Sequence, residues 1–204
     1  MKYNYNQVLY IGPEDKTGGI GSVLKMYNKY FDKFKILTTK NSNNKPLKLF
    51  NFTITITLFL FILFKDKSIK IIHVHSASNG SFIRKIILSI IGKSFNKNII
   101  FHIHGGSFDK FATKSIFNKK IIKFLLNKMN VVICLSESWK CFLETELELK
   151  NIFVLGNPIE LKSYGTIYNR SNTLKLLYLG AINHQKGIFD LIEYLKSNIF
   201  FNEM

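Results

Sequence analysis

Ile99–Gly106 reads Ile-Ile-Phe-His-Ile-His-Gly-Gly, and the fold is decided by how that stretch is read. An apolar run ending in His104 and then in Gly105 and Gly106 is the pattern of a buried strand that delivers an imidazole to a sheet edge. The paired glycines there let another backbone or a phosphate approach closely. Just before it, Lys70–His75 (KIIHVH) is a strand of the same kind, with His73 and His75 two apart and so on one face. Two histidines on one face suggest a metal. No Asp, Glu or Cys joins them nearby, so a core or loop role is read and no metal is expected.

Toward the N-terminus, Gln7–Ile11 is a short apolar run stopped by Gly12 and Pro13, a first buried strand. A loop with Gly18, Gly19 and Gly21 follows, and Ser22 is placed to cap a helix carrying Val23, Leu24, Met26, Tyr27, Tyr30 and Phe31 at helical spacing. Strand, glycine turn and helix together put backbone N–H groups and a positive helix end where phosphate is commonly held. GGIGS has neither the spacing of the dinucleotide fingerprint nor the Lys-Ser/Thr of a P-loop, so a plain tight turn is the competing reading. Phe34–Thr38 reads as a strand and Thr39–Lys48 as a polar linker. The apolar Phe52–Phe64 segment (FTITITLFLFILF) falls short of the ~20 residues a membrane span needs. Two readings stay open for it: a helix or strand buried under the sheet, or a face that touches lipid.

Toward the C-terminus, Phe82–Ile91 has helical periodicity and Gly92 is expected to end it. Lys114–Lys128 is a second helix, with Ile121, Ile122, Leu125 and Leu126 expected inward. Val131–Leu135 is a strand, Ser136 caps a helix reaching Leu143, and Ile152–Leu155 is a strand closed by Gly156, Asn157 and Pro158. Strands alternating with helices predict an α/β fold with a parallel, doubly wound sheet. Ligands of such sheets sit outside the C-terminal strand ends, which would turn Gly19, His75, His104 and Ser136 toward one crevice. Residues 1–159 form this first domain, and 160–173 are polar and irregular, as a linker is. Leu174–Gly180 begins a new strand, and Ile188, Phe189, Leu191, Ile192 and Leu195 mark a helix after it. One strand and one helix cannot bury a core of their own, so 174–204 is the incomplete start of a second domain.

Composition narrows the partners. The chain is 47% hydrophobic and 14% aromatic, which excludes a disordered class, and its formal net charge is +16. Nucleic acid, an anionic membrane surface and an anionic small substrate all fit that charge. The lysines are scattered, and no aromatic-plus-basic RNA-binding motif occurs, so no nucleic-acid partner is expected. Cys134 and Cys141 have neither CxxC nor Cys/His ligand spacing, so no disulfide framework and no zinc site is expected from them. The N-terminus lacks a signal-peptide pattern, and the expected compartment is the reducing cytoplasm.

The order of motifs resembles the retaining glycosyltransferases of glycosyltransferase family 4 (glycosyl transferases group 1, GT-B fold). It is carried by GGIGS, HVHS, HIHGG, VICLSES, GNPIE and above all LLYLGAINHQKGIFDLIEYL. The resemblance implies two Rossmann-like domains facing across a cleft, with the acceptor held by the first and a nucleotide sugar mainly by the second. It would place Gly18 and Gly19 near the donor phosphates, Lys186 on the diphosphate, and His104 beside the transferred sugar as the candidate catalytic residue. His75, Ser76, Gly105 and Gly106 become acceptor-side candidates. A lysine and backbone N–H groups can take up a leaving diphosphate's charge with no metal and no cofactor. Retention needs no protein nucleophile, because the leaving phosphate assists a same-face attack.

The implied activity is transfer of a hexose from a nucleotide-diphosphate sugar to a lipid-linked saccharide in cell-surface polysaccharide synthesis (capsule, lipopolysaccharide or exopolysaccharide). The enzyme would work peripherally at the inner face of the cell membrane. Two departures stand out. Ala181 occupies a position where many members carry Arg, and the glutamate pair of the second domain is not present. A truncated enzyme is therefore expected, and the alternative is an inactive remnant that only binds membrane or saccharide.

Overall fold

The computed structural model describes residues 3–4, 6–14, 18–40, 44–160, 176–180 and 182–197. The chain divides into two compact units, residues 1–160 and 161–204. In the first unit the elements follow in order: β1 (Tyr3–Asn4), β2 (Val8–Pro13), α1 (Gly19–Tyr30), β3 (Phe31–Asp32), β4 (Lys35–Thr39) and α2 (Lys45–Lys65). After these come β5 (Ile71–Ser76), α3 (Gly80–Ser94), β6 (Asn98–Ile103), α4 (Phe108–Ala112), α5 (Ile116–Asn127), β7 (Val131–Cys134), α6 (Glu137–Thr145) and β8 (Ile152–Val154).

Six strands form one sheet in the order β4-β2-β5-β6-β7-β8, with every adjacent pair parallel. The fold is α/β and Rossmann-like. The strand order reverses between β2 and β5, and that switch point is where doubly wound sheets open a crevice at their C-terminal edge. Pairing fixes which side chains share a face. Leu9 lies beside Ile72 and Tyr10 beside His73, while Val74 lies beside Phe101 and His75 beside His102. One face is therefore aliphatic and phenylalanine-rich, and the other carries Tyr10 and the histidines. On the aliphatic face Leu9, Ile72, Val74, Ile99 and Phe101 are essentially inaccessible and belong to the main core. On the other face a smaller cluster of Val8, Tyr10 and Leu24 packs with Tyr27 of α1 and with Phe34.

Several expected boundaries move. Helix α1 starts at Gly19 with Gly18 as its N-cap, and Ser22 lies inside its first turn, donating its N–H to the Gly18 carbonyl at 2.9 Å. Glycine can occupy the cap itself, so no serine is needed there. Gly92 does not end α3. A Cβ at that position would meet Ile72 Cδ1 at 2.5 Å and Ile99 Cδ1 at 3.0 Å, so the glycine lets the helix lie close on the sheet. Ile121 is 39% exposed where Ile122 and Leu126 are buried, which narrows the inward stripe of α5.

The largest difference concerns Phe52–Phe64. The helix containing it, α2, is 21 residues long because Asn44 caps Leu47 N–H and Pro46 pre-sets the first turn, recruiting polar residues the apolar count left out. By length and composition alone it is long and apolar enough to cross a membrane, with a mean hydropathy of 2.1. Yet Phe59 and Leu63 are fully buried in the main core, whereas Leu49, Phe50, Phe61 and Phe64 are 60–66% exposed.

In the second unit, Leu176–Leu179 carry no strand, although a strand was expected over Leu174–Gly180. Among the described residues no strand ladder runs along this segment, and without a ladder nothing holds it as a strand. A single 3₁₀ turn, His184–Lys186, precedes α7 (Ile188–Ser197). Residues 161–173 of the expected linker, Leu174, Ala181 and the Phe200–Met204 tail lie outside the described residues.

Candidate functional site

Strands β5 and β6 end with the same alternation, His-Val-His and His-Ile-His, and parallel pairing lays one pattern beside the other. The result is a stack of four imidazoles on one face. Ring centroids are 4.3 Å apart for His73 and His75, 5.1 Å for His75 and His102, and 3.9 Å for His102 and His104. Tyr10 extends the stack from β2, its ring 5.4 Å from that of His73. His75 Nδ1 and His104 Nε2 share a hydrogen bond of 2.9 Å. A bond between two neutral imidazoles needs one donor and one acceptor, so the two tautomers are coupled.

Burial sets the charge of the cluster. It lowers His73 to about 3, with His104 adding to the effect, and lowers His102 to about 2. His75 is driven well below the ordinary histidine value, by burial first. His104, at the rim, falls to about 4, and the side chain of Asn157 opposes the fall. All four are therefore neutral near pH 7, able to donate or accept hydrogen bonds but carrying no positive charge. That suits His104 to orienting a hydroxyl rather than to storing a proton.

The loops around the stack are tightly built. His104 N–H donates to the Ser76 carbonyl at 2.8 Å, and the buried Ser76 hydroxyl donates to the Ala77 carbonyl at 2.8 Å. Ser76 thus ties the two strand ends together, its side chain on the face opposite His75. A Cβ on Gly105 would approach Ser78 Oγ to 2.6 Å and Ser78 N to 3.0 Å, whereas one on Gly106 would meet nothing within 4 Å. Gly105 is a close-packing glycine, and Gly106 faces open space. In the β5–α3 loop, next to Ser78, Asn79 holds φ at +56° at the start of α3, a conformation few non-glycine residues adopt.

Residues 29–163 match the sequence model described as Glycosyltransferase Family 4, about two thirds of the chain. The chain belongs to Glycosyltransferase Family 4. No curated protein and no solved structure matches it. The glycosyltransferase match contains His75, Ser76, His104, Gly105 and Gly106, and it leaves out Gly18, Gly19 and Lys186.

Gly18 and Gly19 form the N-terminus of the twelve-residue α1, following the C-terminal end of β2, so their backbone lies at the same sheet edge as the histidines. Ser136 reaches this edge too, but its hydroxyl caps α6 by accepting from Trp139 N–H at 3.4 Å. Lys186 belongs to the second unit, where the Asn183 carboxamide accepts its N–H at 3.1 Å and Gly187, with φ +71°, turns the chain into α7. A cleft of about 500 Å³ lined by Lys35, Ile36, Phe61 and Lys65 lies at the opposite sheet edge, at the start of β4, and touches none of these residues.

Three participants in this glycosyltransferase domain escaped sequence reasoning. His102 was legible as the partner of His104 two residues on, but its meeting with His73 needs the β5–β6 register. Asn157, beside His104, comes from the segment after β8. Lys85 of α3 is only 1% exposed, donates to Thr39 Oγ1, and has its pKa lowered to about 7 by burial, with Arg84 adding to the effect. In sequence it reads as one more scattered lysine.

Proposed function

We propose that this glycosyltransferase moves a hexose from a nucleotide-diphosphate sugar to a lipid-linked saccharide, with retention, in cell-surface polysaccharide synthesis. The observation that carries the reading is the His75–His104 pair, neutral and hydrogen-bonded at the C-terminal edge of a family 4 sheet. His104, with its tautomer coupled to His75, orients a sugar hydroxyl or the leaving group. Gly106, which faces open space, gives the acceptor room to approach, while Gly105 packs the loop against Ser78. Gly18 and Gly19 offer N–H groups to the donor diphosphate, and Lys186 neutralises the charge that gathers as it leaves. With that charge met by protein groups, transfer proceeds without added magnesium or manganese.

The same reading puts the protein on the anionic inner face of the cell membrane. The exposed apolar side of α2 supports this, as do the lysines at its ends, where Lys65 and Lys67 sit 5.6 Å and 5.4 Å over the Phe61 and Phe64 rings. Because Phe59 and Leu63 belong to the core, the helix cannot span a bilayer without uncovering the sheet. It therefore lies in the interface.

The test is incubation of the purified chain with labelled nucleotide-diphosphate hexoses and a membrane lipid extract. Label that becomes lipid-extractable, with the anomeric configuration of the donor, is expected. Complete lack of transfer across donors overturns the enzymatic reading.

A further inference from the structure

We propose that His73, His75 and His102 form a binding site for a divalent transition metal of the zinc class. One ring nitrogen from each lies within 4.8 Å of those of the other two, so small rotations bring all three to a common centre. The residues are 7%, 0% and 1% exposed, deep in the sheet face under α1. Their polar atoms are unmatched: Nε2 of His73, Nε2 of His75 and both ring nitrogens of His102 lack a hydrogen-bond partner. Buried polar atoms without partners are rare, and each carries a desolvation penalty. A single cation would satisfy three of them at once.

The surroundings suit ligation. His75 uses Nδ1 toward His104 and so keeps Nε2 for a metal, an outer partner of the type that orients metal-bound histidines. Burial keeps all three rings neutral, the form that ligates. A set of imidazoles without carboxylate or thiolate favours zinc, copper or nickel over calcium and magnesium, and three ligands leave a fourth position open. Lys85 acts on His75 from α3 and opposes a bound cation while protonated, but its head group is engaged by Thr39. The site shares His75 with the pair proposed to act in transfer, and metal binding is read without turnover, so its failure is distinguishable from failure of the transfer reading.

The test is equilibrium dialysis of the full chain against zinc alone, with cobalt as the spectroscopic probe. One zinc per chain is expected. His73→Gln and His102→Gln should each weaken binding at least tenfold, while His184→Ala, which removes the fifth histidine, leaves it unchanged. Cobalt in the unmutated chain should show the visible bands of a nitrogen-ligated, tetrahedral ion, a readout that does not depend on the variants folding. Absence of stoichiometric zinc, retention of it in both glutamine variants, loss in His184→Ala, or a thiolate charge-transfer band would each overturn the assignment.

Discussion

His104 shows how much one residue depends on its neighbours. Its backbone is tied to Ser76, one ring nitrogen is tied to His75, and burial keeps it neutral. Truncation to His104→Ala keeps the backbone tie to Ser76, opens the ring's tie to His75, and removes the group proposed to orient substrate. A fall in kcat of about 100-fold with KM little changed is expected, measured as initial rates against donor concentration. Gly105 is constrained differently. In Gly105→Ala the new methyl meets a backbone nitrogen that cannot rotate away, and thermal unfolding should report a loss of about 1–3 kcal/mol.

Lys85 yields a pH signature. Its folded-state pKa of about 7 lies below the ordinary lysine value of 10.5, so between those limits the unfolded chain holds a proton the folded one lacks. Stability therefore rises with pH across that window and falls as pH drops toward 7, by an amount on the order of a few kcal/mol. Chemical denaturation at a series of pH values should show this slope, and Lys85→Met should flatten it.

At the scale of elements, α2 is a cylinder that is apolar nearly all round, with one stripe in the core and the rest at the surface. Its inner stripe is structural: Phe59→Ala opens a cavity in the main core and should lower stability by about 3–5 kcal/mol in denaturant titrations. Its outer stripe is available to lipid. Replacing Phe61 and Phe64 with Ser should change stability little and weaken binding to anionic liposomes about tenfold or more in flotation assays. Equal effects of the two substitutions on folding would mean that the outer face is also packed. Helix α3 carries a related lesson, since Gly92, which punctuates the sequence as a stop, is where the helix comes nearest to the sheet.

For the whole molecule, a net charge of +16 acts at long range. Liposome binding should weaken steeply as ionic strength rises, because each lysine near an anionic surface contributes about 1 kcal/mol and that attraction fades beyond a Debye length. Salt-independent binding would assign the affinity to the apolar face alone.

The sequence by itself determined the alternation of strands and helices, and with it the parallel sheet. Periodicity and glycine or serine punctuation are local properties of the chain. It also placed His75, His104 and the paired glycines at strand ends. Only the tertiary structure decided that HVH and HIH lie side by side, because register between β5 and β6 is fixed by packing on both faces of the sheet rather than by either segment alone. It likewise decided that Lys85 is buried and that α2 sets only one stripe, with Phe59 and Leu63, into the core. IIFHIHGG, read alone, supplies a single histidine at an edge. Folded against its neighbour it becomes one side of a quartet with three buried members and His104 at the rim, since burial and hydrogen bonding are properties of what surrounds a residue.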